Sequence, residues 1–215
     1  MPLFVLDKEI RFPPVNLAEP DGLLAMGGDL SADRLLLAYR HGIFPWFEGQ
    51  TPLWWCPDPR FVIFPADLKI SKSMKQLFKK NSFRFTVNTA FAEVIGNCKT
   101  TARKEQSSTW ITEEVKSAYI HLHGLGYAHS AEAWLGEELV GGCYGIRLGK
   151  VFFGESMFSK VSNASKYAFI KYVELLKREG LQLIDCQVYT EHLESLGARM
   201  IGRAQFVQLL ETFIP

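Results

Sequence analysis

"AHSAEAWLGEELVGGCYGIRLGKVFFGE" (residues 128–155) decides how this chain folds. It holds three strand-like runs, 128–135, 138–146 and 150–155, cut apart by "GEE" and by the glycine-containing turn "RLGK". That spacing predicts an antiparallel meander. "NASKYAFIKYVELLKREG" follows, with Phe169, Val173 and Leu176 on one stripe and Gly180 as its stop, and so predicts a helix. "LIDCQVY" (183–189) then reads as a buried strand, because Leu183, Ile184 and Val188 are apolar and Cys186 is of a type often buried. A short helical piece at 191–196, a strand-like "ARMIGR" and a final helix near 204–211 complete the chain.

Periodicity supports an α+β fold with a mixed, largely antiparallel sheet. The order of meander, helix and central strand is that of an acyltransferase of the GNAT type. Upstream, residues 1–60 are rich in Pro and Gly. "LSADRLLLAYRHG" is a helix there: Ser31 can cap it, Leu35, Ala38 and Tyr39 share a face, and Gly42 can end it. Pro45, Pro52, Pro57 and Pro59 exclude further helix, which puts Trp46, Trp54 and Trp55 on loops. A boundary near Arg60 divides a small N-terminal domain (1–60) from a GNAT-like catalytic domain (61–215). Two more helices follow, in "KISKSMKQLFKK" and in "ITEEVKSAYIHLHGLG", the second with Thr112 as candidate cap.

Of the 215 residues, 47% are hydrophobic and 22% charged, a globular and not a disordered composition. No apolar run approaches the ~18 residues of a membrane span, and the N-terminal residues lack the marks of a signal peptide. A cytoplasmic protein without a membrane partner is the expectation. Cys56, Cys98, Cys143 and Cys186 form no CxxC pair, so free thiols are expected. The five histidines suggest no metal site. The net charge of +1 conceals an asymmetry: residues 60–104 carry ten basic residues against two acids, +8, and the remainder is −7. Lys72, Lys75 and Lys79 fall on one side of the first of these two helices, with Lys80 and Arg84 close behind. Such a cluster suits a polyanion or, more blandly, a solvated helix face.

Glu155 stands among Phe152, Phe153, Met157 and Phe158. A carboxylate in that setting is costly unless paired or protonated, so it either meets a buried cation or handles a cationic ligand or a proton. Asp185 and Gln187, two apart on a strand, point to one face. An amide is too weak a base to take a proton outright. It can accept a hydrogen bond from an attacking amine, while a nearby carboxylate stabilises the ammonium that develops. That arrangement suits aminolysis of an activated ester. The segment ahead of the long helix, "SMFSKVSN", has none of the glycines with which acyl-CoA enzymes cradle pyrophosphate. A large donor would dock elsewhere, and the basic stretch is the candidate. Exposed tryptophans among Trp46, Trp54, Trp55 and Trp110 could stack an unpaired base, or could wedge the small domain onto the larger one.

Taken together, "EPDGLLAMGGDLS", "LLLAYRHGIFPWF", "LWWCPDPR", "STWITEEV", "AYIHLHGLGYAHSAEAW", "LVGGCYG", "FFGESMFS", "NASK", "LIDCQ" and "HLESLGA" resemble the leucyl/phenylalanyl-tRNA–protein transferase family, in family order over nearly the whole chain. The resemblance implies transfer of Leu or Phe, less often Met, from aminoacyl-tRNA to proteins beginning with Arg or Lys. The products feed bacterial N-end rule degradation, and neither metal nor cofactor is needed. It implies catalytic and acceptor-binding roles for Glu155, Asp185 and Gln187. Trp46 and Trp110 would lie around the terminal adenosine, and Cys143, Phe152, Tyr172 and Ile184 would form the aminoacyl side-chain pocket. Cys143 stands where the family pattern has a larger apolar residue such as Met, and Tyr172 where it has Phe. The alternatives are an acyl-CoA-dependent N-acyltransferase and a non-enzymatic tRNA-binding module.

Overall fold

A computed structural model describes residues 3–101 and 110–214. Arg103, Lys104, Ser108 and Thr109 of the motifs above lie outside the described residues. The N-terminal part is a four-stranded sheet of β1 (Phe4–Leu6), β2 (Leu23–Gly27), β3 (Phe44–Pro45) and β4 (Leu53–Trp55), in the order β1-β2-β4-β3. Helix α1 (Ala32–Arg40) sits between β2 and β3. The Ser31 hydroxyl accepts the Arg34 N–H at its start, and Gly42 (φ 73°) lets the chain leave its end. Trp54 and Trp55 are therefore on a strand and not on loops. The prolines flank the strand without interrupting it. Trp54 is wholly buried, its indole N–H donating to the Gly27 carbonyl at 2.9 Å.

The second sheet has seven strands: β5 (Arg60–Ile63), β6 (Arg84–Val87), β7 (Ala128–Leu135), β8 (Glu138–Leu148), β9 (Val151–Ser159), β10 (Leu183–Gln187) and β11 (Arg199–Ile201). Their order is β11-β5-β10-β9-β8-β7-β6. The meander β7-β8-β9 lies at its centre as the spacing predicts, and β10 pairs parallel with β9. All other pairings in this sheet are antiparallel, so it is mixed and largely antiparallel. Helix α2 (Lys72–Lys79) is capped by Ser71. Next come α3 (Phe91–Thr100) and α4 (Glu113–Gly124), whose Thr112 hydroxyl accepts the Val115 N–H. The crossover from β9 to β10 is α5 (Ala164–Arg178), followed later by α6 (Glu191–Glu194) and α7 (Arg203–Phe213).

Each face of the large sheet is covered by apolar side chains. One face packs on α2 and α5 through Met74, Tyr167, Phe169 and Tyr172. The other packs on α3, α4, α7 and the N-terminal sheet, and one continuous core runs from Leu24, Leu35 and Trp54 to Val115, Tyr144 and Phe206. All four cysteines are free and buried. Among the described residues no helix is long and apolar enough to cross a membrane.

Candidate active site

The site begins where β9 and β10 stop pairing. Their parallel register covers Leu183–Asp185 against Val151–Phe153 and goes no further, although β9 runs on beside β8 to Ser159. Both strands are irregular at that point. Between Tyr144↔Ser156 and Gly145↔Gly154 the register shifts, leaving Glu155 as the extra residue on β9. Opposite it, a Cβ at Gly145 would come within 2.1 Å of the Phe153 carbonyl, so only glycine fits. On β10 the register against β5 shifts between Asp185 and Gln187, and Gln187 adopts φ 64°. The regular alternation assumed for Asp185 and Gln187 is thus broken by a bulge at Cys186. A cavity of about 760 Å³ fills the opening between the strands and reaches both faces of the sheet.

Glu155 lies on its wall, partly buried, and among the described residues no basic side chain pairs with it. Its Oε1 accepts from Tyr39 (2.7 Å) and from the Gln187 amide Nε2 (3.0 Å), and its Oε2 accepts from Tyr119 (3.0 Å). The two tyrosine hydroxyls are also in direct hydrogen-bonding contact with each other. Burial, reinforced by the charge of Asp185, pushes the Glu155 carboxyl up to about 7 against the opposing pull of these donors.

Asp185 has a different partner. It is fully buried and bound through both oxygens to Arg60, at 2.8 Å to Nε and 2.7 Å to Nη2. Its Oδ1 also accepts the Gln187 backbone N–H at 2.9 Å, which holds the bulge. Arg60 is itself fully buried, with Phe44 and Phe206 each 4.7 Å from its guanidinium carbon. Arg60 therefore does not belong to a surface polyanion patch, as the count over residues 60–104 supposes. The amide of Gln187 is held by Glu155, and Asp185 reaches Gln187 only through the backbone.

The other residues singled out from the sequence divide clearly. Cys143, Phe152 and Ile184 line the cavity on the α5 side, and Phe169 joins them. Tyr172 is not on the wall but stands behind Phe152, ring edge to face at 5.2 Å. Ile184 does point away from Asp185, yet both touch the same cavity because the parted strands open it to both faces. Trp46 and Trp110 line the cavity as well, Trp46 41% exposed and Trp110 nearly covered. Lys72, Lys75, Lys79, Lys80 and Arg84 are all exposed, on α2 and the start of β6, and Arg84 stacks over the Trp134 ring at 4.8 Å. Among the described residues no group of three or more His, Cys, Asp or Glu could hold a metal. Tyr39 and Tyr119 are site residues that the sequence pattern does not mark. Both sit at apolar helix positions, and only their hydroxyls, which a buried tyrosine must satisfy, signal a polar partner. Nor does the pattern mark Arg60 as the partner of Asp185.

A mixed sheet whose central strands part over a cavity, with an apolar wall on one side and a carboxylate and amide on the other, is the architecture the chain presents to a substrate. Residues 62–211 match the family model described as leucyl/phenylalanyl-tRNA protein transferase, and residues 28–58 match the model of its N-terminal domain. The chain belongs to this family and is a transferase. The leucyl/phenylalanyl-tRNA–protein transferase of Syntrophobacter fumaroxidans is 58% identical over all of this chain and 92% of the relative. That of Flavobacterium johnsoniae is 54% identical over 98% of this chain and 100% of the relative. Among solved structures, L-PGS from Bacillus licheniformis aligns with a TM-score of 0.40 at 13% identity, over 80% of this chain and 57% of that one.

Proposed function

We propose that this enzyme moves Leu or Phe, less often Met, from aminoacyl-tRNA to the N-terminal α-amine of proteins beginning with Arg or Lys. It would do so in the bacterial cytoplasm, feeding N-end rule degradation, without metal or cofactor. The observation that carries this reading is the forked cavity: an apolar wall of Cys143, Phe152, Phe169 and Ile184 adjoins the Glu155–Gln187 pair. An apolar aminoacyl side chain and a cationic amine would meet where the two surfaces join. Tyr172 supports Phe152 from behind and so shapes the pocket. Trp46 and Trp110 would hold the terminal adenosine by stacking, and Lys72, Lys75, Lys79, Lys80 and Arg84 would meet the phosphate backbone. Backbone contacts suit an enzyme that accepts more than one tRNA.

The amine must attack as the neutral form. With its Nε2 engaged by Glu155, the Gln187 carbonyl oxygen is left to accept a hydrogen bond from that amine. Glu155 offers the negative charge for the acceptor's cationic end, and the Asp185–Arg60 pair fixes the backbone that presents Gln187. The amino group and the ester carbon are thereby aligned, and positioning supplies much of the rate. The test mixes labelled Leu-tRNA with an otherwise identical pair of proteins beginning with Arg and with Ser. Transfer to the Arg-starting protein alone is expected; equal transfer to both, or none to either, would refute the assignment.

A further inference from the structure

Three hydroxyl or carboxyl groups meet at Glu155, and their protons can be counted. Tyr39 touches Glu155, Tyr119 touches Glu155, and Tyr39 touches Tyr119. Three contacts need three protons. With Glu155 ionised there are two, one on each tyrosine, and both are spent on the carboxylate oxygens. The contact between the hydroxyls is then two oxygens facing each other without a hydrogen. One more proton closes the ring: Glu155 Oε2–H donates to Tyr119, Tyr119 donates to Tyr39, and Tyr39 donates to Oε1. Gln187 Nε2 keeps its place on Oε1 in both states. The geometry is therefore complete only with a proton added.

We propose that Glu155, with Tyr39 and Tyr119 as positioning residues, accepts the surplus proton of the acceptor's α-ammonium during transfer. This deepens the transferase reading and rests on it. The step balances. An ammonium, a carboxylate and an aminoacyl ester become an amide, a free ribose hydroxyl and a protonated Glu155. The N–C bond forms and the ester C–O bond breaks. Of the three ammonium protons, one stays on the amide nitrogen, one goes to the ribose oxygen and one goes to Glu155, which then releases it to solvent. Asp185 is engaged elsewhere, with both its oxygens held by Arg60.

The surroundings support a carboxyl that titrates near neutrality. Among the described residues, the titratable and charged groups around Glu155 are Tyr39 from α1, Tyr119 from α4 with Tyr144 of β8 edge-on to it, Asp185 from β10 and Arg60 from β5. Burial outweighs the donors and puts the carboxyl at about 7. The hydroxyls themselves are held well above their ordinary range by burial and by Glu155, so they relay and do not ionise.

Difference infrared spectroscopy of the unliganded enzyme tests this without relying on activity. A carboxylic-acid C=O band should grow as pH is lowered through about 7 and be missing from Glu155→Gln. Tyr39→Phe and Tyr119→Phe each open the ring that the added proton closes, so the midpoint should shift by on the order of one pH unit. The acid limb of single-turnover transfer from Leu-tRNA should move with it. Normal wild-type transfer with no such band above the ordinary carboxylate range overturns the cluster and leaves the transfer reading standing. A rate limb that stays fixed while the band moves in the tyrosine variants also overturns it. A band with no transfer at any pH overturns the transfer reading and the cluster's part in it.

Discussion

Asp185→Asn should destabilise the fold by about 3–5 kcal/mol at neutral pH, apart from any effect on transfer. The reason is Arg60. Its guanidinium has no exposed surface, lies between the rings of Phe44 and Phe206, and gives Nε and Nη2 to the two Asp185 oxygens. An asparagine removes the charge and turns one accepting oxygen into a donor facing a donor. The guanidinium cannot shed its proton to escape, so a buried charge is left uncompensated. In a chain of this length each kcal/mol corresponds to ~2–4 °C, so the midpoint should fall by about 6–20 °C. Urea unfolding of wild type, Asp185→Asn, Arg60→Met and the double variant gives the cycle. The double variant should lose less than the sum of the singles, by about 1–3 kcal/mol, since removing both charges leaves neither stranded. A cost for Asp185→Asn within ~1 kcal/mol, or additive singles, would refute the pairing as the reason for Asp185. Below the thermal transition, the variant should also transfer more slowly while tRNA affinity holds, because Asp185 fixes the backbone N–H of Gln187.

The remaining expectations are more compact. Lys72→Ala, Lys75→Ala and Lys79→Ala together should weaken tRNA binding and flatten its salt dependence by about one unit of log–log slope per lost phosphate contact, read by filter binding across a salt series; an unchanged slope would exclude α2 from the footprint. Ile-tRNA and Val-tRNA should be poorer donors than Leu-tRNA by about 1–3 kcal/mol in transition-state energy, because branching at Cβ crowds the ester carbon, and competition assays measure the ratio directly. Glu155→Gln should raise thermal stability at pH 8 and not at pH 5. The folded carboxyl titrates near 7 and the unfolded one near 4.5, so its protonated stabilisation is full below 4.5 and is lost as pH rises through 7. Removing the ionisable group should recover about 1–3 kcal/mol at the higher pH, discounted for partial solvent contact. The same variant should raise the KM for the Arg-starting acceptor.

What could be read from residues alone was whatever depends on neighbours in the chain. The meander was legible because its alternation and turns are local, and α1 and α4 because Ser31 and Thr112 sit directly before their first turns. Helix α3 was not, since it starts at Ala90 with no side-chain cap and carries Gly96 and Asn97 in its interior. Strands β5 and β6 are four residues each, too short for period-2 counting to stand out beside the charges around them. In the site, Glu155 drew attention because a carboxylate among phenylalanines demands explanation. Its true partners did not, because Tyr39 is 116 residues away and Arg60 is 125 residues from Asp185. The bulges at Glu155 and Cys186 arise from how β8, β9, β10 and β5 meet, which no single stretch encodes.

Two carboxylates on adjoining strands thus end in opposite conditions. Asp185 faces a guanidinium held on two sides by aromatic rings, so its charge is compensated and it is spent on geometry. Glu155 accepts its hydrogen bonds from neutral donors, two tyrosines and an amide, so its charge has no paired cation among the described residues and can be given up. Separating environments in this way assigns separate tasks to like groups. Aminolysis of an aminoacyl ester needs both: the ester is already activated, so little chemical driving force is required of the protein. What the reaction does require is an amine that is deprotonated and aligned at the same moment. One carboxylate bound on both oxygens by Arg60, which holds the Gln187 backbone in place, beside one that burial raises to about 7, meets that requirement. The amide between them then has a narrower task than a base. On the reading proposed above, its nitrogen stays on Glu155 and its oxygen would meet the nucleophile, so both Gln187→Glu, which sets a second carboxyl against Glu155, and Gln187→Asn, one methylene short, should slow transfer.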